Sequence, residues 1–261
     1  MGDSLHIVLL LVCGYAAISA LEFLTLRREL AEGGLLSWEN ERVASSYSWD
    51  GPAGRALAAI YRYPNVRALY LAQLVLAGAL ALDVGPTHGV CGLFLVTWLI
   101  SQRTRVGQDG ADQMALLVLL ALSVAMLVPT HRVQLAACAF IAAEGLASYA
   151  IAGFAKLSEL GWRDGSHLAA IFSTEVYGAK PFGDLLKRHR TLAMTLSVGF
   201  IFWECSVVFA MLAPRPIVFA YLAVGLLFHS MNALVMGLNT FLFAFAATYP
   251  ATLYLLRLRP W

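Results

Sequence analysis

Residues 133–157 read VQLAACAFIAAEGLASYAIAGFAKL, and this stretch decides the fold class. Glu144 and Lys156 are the only charged residues in a run of mostly apolar and small side chains. A bilayer core takes about 20 predominantly apolar residues in a helix, so the stretch is long enough to cross one. Comparable runs lie at about 6–26, 66–84, 88–100, 113–128, 191–212, 217–238 and 240–256. The run at 88–100 is short and reads as tilted, partial or buried among its neighbours. The last two runs are separated only by Gly237, Leu238 and Asn239.

The rest of the chain agrees. Of 261 residues, 60% are hydrophobic and 13% charged, whereas soluble domains carry about 25% charged residues. The net charge of +2 is too small to indicate a nucleic-acid partner. Cys13, Cys91, Cys138 and Cys205 are far apart, with no metal-ligand spacing, and read as small buried hydrophobes; a disulfide between two of them stays open. The expected architecture is all-α. It is a polytopic transmembrane helical bundle of seven or eight spans, forming one integral membrane domain over 1–261 with no soluble domain. In the seven-span version the final segment is broken or re-entrant.

Loop charges bear on orientation. The segment 27–67 carries six Arg and the segment 156–190 six Lys and Arg, against one each at Arg132 and Arg215 in the alternate turns. The positive-inside rule then places the N-terminus outside and the basic loops in the cytoplasm. Arg257 and Arg259 fit seven spans better than eight. The first run reads as a retained span, since no Lys or Arg precedes it and no small-residue cleavage site follows. Trp38, Tyr47, Trp49, Tyr61 and Tyr63 suit a segment near the interface, and the amphipathic run 166–190 an interfacial helix.

Ionisable groups inside hydrocarbon cost at least about 2.5–3.5 kcal/mol at a helix centre, so those that persist need a reason. Glu22, Glu144, Lys156, Glu204, His229 and Asn232 are the candidates. Tyr149, Gly153 and Lys156 recur at helical spacing and share a face, where Gly153 admits a second backbone or a flat ligand. Lys156 either snorkels to the interface or, desolvated, gives up its proton and acts as a base. His229 and Asn232, three apart, either orient a carbonyl or phenolic ligand or lock two helices together. Glu204 reads as a neutralised carboxyl or, by preference, as the partner of a buried cation. The loop RTRVGQDGADQM, 103–114, is either solvated or a tight turn setting Asp109, Asp112 or Gln113 at the mouth of a cavity.

Two blocks carry a resemblance. YAIAGFAKLSELGWRDG, 149–165, resembles the AG-x-x-KL and W-x-x-G signature of the vitamin K-dependent γ-carboxylase superfamily, whose bacterial members include the HTTM (horizontally transferred transmembrane) proteins. FHSMNALVMGLNTF, 228–241, is similar to the FH-x-MN segment that follows there, with Glu204 about one span before it. The resemblance covers roughly residues 100–250. It implies a bacterial plasma-membrane enzyme that binds a quinone or hydroquinone, menaquinone or vitamin K-like, in an intramembrane pocket. In that reading Lys156 is the base that deprotonates the quinol, with His229 as a second catalytic group. Tyr149, Gly153, Trp162, Asp112, Gln113, Glu204 and Asn232 shape the pocket. Membrane lipid, an isoprenoid quinone and a small protein or peptide substrate encoded nearby are the implied partners. Gly110-Ala111-Asp112-Gln113 stands where the animal enzyme has an Asn-His pair, and its large soluble region has no counterpart. A quinol-linked oxidation or peptide-modifying step is therefore easier to reconcile than glutamate carboxylation. The family reaction faces the lumen, while the loop charges put the end of the fifth span on the cytoplasmic side. A non-catalytic membrane partner for maturing or anchoring another protein, or a small-solute carrier, are the competing functions.

Overall fold

Fifteen helices and no strands make up the described residues of the computed structural model, which are 2–44, 51–105, 107–175 and 177–259. Tyr47 and Trp49 lie outside them. The chain divides into two compact units, Met1–Ala137 and Cys138–Trp261.

The first unit holds α1 (Gly2–Thr25), α2 (Arg27–Leu30), α3 (Trp38–Ala44), α4 (Pro52–Tyr61), α5 (Val66–Ala81), α6 (Pro86–Arg103) and α7 (Gly110–Leu127). Helix α1 packs along α5, and α6 lies between α5 and α7. Ala20, Leu30, Val66, Tyr70 and Ile100 form a core against which Phe23 stacks flat on Tyr70 at 4.9 Å. The segment 27–65, expected as an interfacial loop, folds into α2, α3 and α4. Trp38 and Tyr61 are buried against each other, with ring centres 5.1 Å apart. Helices α4 and α5 meet at a 73° bend across a four-residue break that contains Pro64. The short third run becomes an 18-residue helix, α6, started by Gly85 in the left-handed region and Pro86 in its first turn.

Helix α8 (His131–Ser158) begins in the first unit and belongs to the second from Cys138 onward. Then come α9 (Leu160–Arg163), α10 (Ser166–Ile171), α11 (Lys180–Arg188), α12 (Arg190–Ala210), α13 (Arg215–Met236), α14 (Asn239–Ala246) and α15 (Tyr249–Arg257). The 166–190 run is two short helices, α10 and α11, whose apolar sides meet through Leu168, Leu186 and an edge-on Phe172–Phe182 pair. Helix α13 closes on Gly237, whose φ of 72° lets its N–H reach Ala233 O and the Leu238 N–H reach Asn232 O. The stretch 240–256 is not one helix. Pro250, in the first turn of α15, has no N–H to give and crowds the carbonyl one turn back, so the helix restarts there. The pieces, of eight and nine residues, are each too short to cross a bilayer core.

Helices α1, α7, α8, α12 and α13 are each long and apolar enough to cross a membrane, and the bent α4–α5 pair qualifies as a sixth if counted as one span. Their outward faces are greasy: Ile151, Phe154, Phe202, Phe209 and Leu234 are each more than half exposed. Such faces suit a lipid environment.

Candidate functional site

The polar residues of the second unit sort into two clusters. In the first, Lys156 Nζ, near the end of α8, donates to both carboxylate oxygens of Glu204 on α12, at 2.6 and 2.7 Å. Glu204 is almost wholly buried and the Lys156 side chain about one-fifth exposed (21%). The ammonium also sits 5.5 Å from the centre of the Trp162 ring, which adds a cation–π contact. Charge-assisted bonds of this length stabilise the ammonium–carboxylate state, so the pair enters its surroundings as a neutral unit.

That pair faces a cavity of about 470 Å³, within the range of small-molecule sites. Phe172, Phe200, Phe228 and Met231 give it an aromatic and thioether wall, and Asn232 adds one uncharged polar side chain. The local sequence explains the arrangement. A Cβ on Gly153 would lie 2.8 Å from both Cys205 N and Glu204 Cβ, so only glycine lets α12 come this close to α8. The flat partner of Gly153 is therefore a helix backbone. One turn later, Lys156 meets Glu204.

The second cluster is buried deeper. Tyr149 Oη is 2.8 Å from His229 Nε2 and 2.8 Å from Tyr249 Oη, joining α8, α13 and α15. Aromatic rings enclose it, with Trp203 edge-on to Tyr149 at 4.9 Å and Phe245 stacked on His229 at 4.5 Å. His229 Nδ1 is buried without a hydrogen-bond partner among the described residues.

The expected site residues are thus divided. Lys156, Trp162, Glu204 and Asn232 line the cavity; Tyr149, Gly153 and His229 do not. Although His229 and Asn232 lie three apart on α13, only Asn232 reaches the cavity. Asp112 and Gln113 belong to the first unit, at the start of α7. There Asp109 caps the helix by accepting from the N–H groups of Ala111 (2.8 Å) and Asp112 (3.3 Å), while Asp112 Oδ2 accepts from Asp109 N. Tyr15 of α1 donates to Asp112 Oδ1 at 2.5 Å. Asp109, Asp112 and Gln113 do line the mouth of a polar cavity of about 540 Å³. Burial, reinforced by the Asp112 carboxylate, pushes the Asp109 carboxyl up from 3.8 to about 6.

Sequence reading missed other participants. Phe228 was legible only as the neighbour of His229, and Trp203 as the neighbour of Glu204. Tyr249, a hundred residues from Tyr149, carried no pattern at all. Arg103 was also missed: it is fully buried in the first unit, donating to Leu36 O at 2.6 Å and Tyr61 O at 3.5 Å. All four cysteines are free. Among the described residues, no group of three or more His, Cys, Asp or Glu side chains is placed to hold a metal ion.

Among the described residues, fold and site together define an all-helical protein with five helices able to cross a membrane and an apolar cavity bounded by an ion pair. Comparison with known families, curated proteins and solved structures finds no match to this chain.

Proposed function

We propose that the protein is an integral membrane enzyme, resembling the γ-carboxylase and HTTM class, that binds a hydroquinone in the cavity of its second unit. The observation that carries this reading is the Lys156–Glu204 pair set against an aromatic-lined cavity of about 470 Å³. The residues suit such a ligand. Aromatic and thioether side chains match a ring and an isoprenoid chain, and Asn232 and Lys156 offer hydrogen bonds to ring oxygens. A hydroquinone, when bound, would supply phenolic protons and two reducing equivalents; oxidising a peptide or small substrate would also require dioxygen as the oxidant that takes up electrons from both.

The chain's own part is to hold and move a proton. Lys156 is tied to a carboxylate, so a standing free amine is not its resting form. Glu204 takes the ammonium proton within the pair, and Lys156 Nζ, now neutral, accepts a proton from the ligand. The ammonium restored on Lys156 would then lie beside the ligand's anionic oxygen, so charge is created only as an adjacent pair and never as separated ions in an apolar wall. His229 has no access to the cavity and serves in this reading only to tie α13 to α8 and α15.

Extraction in mild detergent followed by absorbance and mass analysis should find menaquinone with the wild-type protein and much less with Phe228→Ala or Asn232→Ala. A folded wild-type protein that neither carries nor takes up a quinone removes the reading. The competing reading, a non-catalytic membrane partner, draws on the same pair, which also ties α8 to α12. Lys156→Met separates the two readings: loss of substrate turnover with quinone still bound supports the base, and unchanged turnover eliminates it.

The finer topology belongs to the same proposal. Seven crossings are formed by α1, α5, α6, α7, α8, α12 and α13, with α14 and α15 as a re-entrant pair. The helix break at Pro250 and the basic residues Arg257 and Arg259 support it.

A further inference from the structure

The cavity beside Lys156 is open along one edge. Its wall is drawn from helices α8 to α13, and three of its lining residues, Val224, Leu227 and Met231, are 43%, 63% and 48% exposed. They recur at helical spacing along one side of α13, while Val218, Leu222, Gly225 and His229 form its buried side. The cavity therefore reaches the outside of the unit along α13.

The surrounding helices fix where that opening leads. Helices α12 and α13 are pinned near their connecting turn, where Trp203 Nε1 donates to Tyr221 O at 3.3 Å and the Ser206 and Tyr221 hydroxyls lie 2.9 Å apart. Farther along, the Phe200 and Phe228 rings bridge the two helices at 5.2 Å, and beyond them Leu196 and Val235 face the cavity. At 1.5 Å per residue, Val224 and Met231 lie about 14 and about 24 Å along a helix of about 33 Å. In a spanning α13 the slot is thus at hydrocarbon depth. The far end is closed by short helices. Trp162, Leu168 and the Phe172–Phe182 pair line it from within, and Ser197 Oγ of α12 donates to Trp162 O at 2.5 Å. Arg163, Lys187 and Arg188 are exposed on these short helices, which suits the membrane–water interface. The cavity is shut toward that interface and open toward lipid.

Polarity then defines the occupant. Lys156, Glu204 and Asn232 bring charge and an amide to the interior, whereas the valine, leucine and methionine of the open edge offer apolar contact alone. A water-soluble polar substrate has no route to such an opening, because hydrocarbon excludes it. A membrane-dissolved amphiphile needs only lateral diffusion.

We propose that the cavity exchanges its ligand sideways with the bilayer, through the slot between α12 and α13. The ligand keeps a long hydrocarbon tail in the slot, against Leu227 and Met231, with its polar ring inside. This rests on the hydroquinone reading and adds to it the route and the tail.

The full chain in phospholipid nanodiscs tests it with two naphthoquinones, one without a tail and one whose isoprenoid tail ends in a photoreactive diazirine. Irradiation should label the peptides of α12 and α13 that border the slot, and excess menaquinone should suppress that label. Leu227→Trp and Met231→Trp together, both at exposed positions, put indole rings in the slot. Retention of the tailed quinone should then fall about tenfold, since overfilling an occupied space is unfavourable, while the tailless ring is retained. A tailless ring that binds while the suppressible label falls on other helices overturns the slot and leaves the hydroquinone reading standing. Unchanged retention of the tailed quinone in the double variant does the same, and so does equal loss of both quinones, which would place the ring rather than the tail against these residues. Binding of neither quinone to the folded wild-type chain removes both proposals. Should the double variant not fold, labelling of the wild-type chain decides alone.

Discussion

Glu204 and Lys156 are unequal members of their pair. Glu204 is the buried one, so Lys156→Met strands a carboxylate in an apolar wall, whereas Glu204→Gln leaves an ammonium that still reaches the cavity's open side. Breaking a buried pair costs about 3–5 kcal/mol when one charge stays uncompensated. Melting in detergent should therefore show Lys156→Met as clearly the more destabilised variant, and the Lys156→Met/Glu204→Gln double variant partly restored. Equal losses would mean the pair sits in a wetter setting than its burial indicates. Tyr149→Phe removes the hydroxyl shared by His229 and Tyr249 and should cost about 1–3 kcal/mol. At this scale the sequence was informative about identity and silent about pairing. Lys156, Glu204 and His229 stood out because hydrocarbon tolerates such groups poorly. Which of them met depended on helix rotations that no local pattern encodes.

Helix packing and helix ends carry the next set of effects. Gly153→Ala places a Cβ against the backbone of α12, where nothing flexible can yield, and should cost about 1–3 kcal/mol. Quinone retention should fall with it, because moving α12 carries Glu204 away from Lys156. Undiminished retention in a folded Gly153→Ala protein would detach the cavity from this crossing. The cap of α7 makes a pH prediction. Asp109 holds its proton more tightly when folded, about 6 against 3.8, so folding binds protons between these values. Stability attributable to this carboxyl is full below about pH 4, declines as pH rises toward about 6, and is then level. Asp109→Asn keeps an oxygen for the cap and should melt higher than wild type at pH 7.5, with the difference vanishing near pH 4. The break at Pro250 was legible in TYP, 248–250, yet was masked by the apolar residues on either side. The helices in 27–65 were not legible, because their polar composition reads as loop until Trp38, Tyr61 and the Arg103 guanidinium are seen buried together.

For the whole molecule, the seven-crossing proposal predicts that a reporter fused after Arg259 lies on the same side as one inserted between α11 and α12. Opposite sides would require α14 and α15 to cross after all. The sequence by itself determined that the chain is helical, that several helices can cross a bilayer, and which few ionisable residues had to be explained. Hydrophobic run length and the cost of charge in hydrocarbon are properties of local composition, so they can be read without a fold. Only the tertiary structure decided how those residues are grouped. It joined Lys156 to Glu204 at a cavity and turned His229 away into an aromatic cluster with Tyr249. Those outcomes depend on the rotation and close approach of helices distant in sequence, which glycines such as Gly153 permit but do not announce.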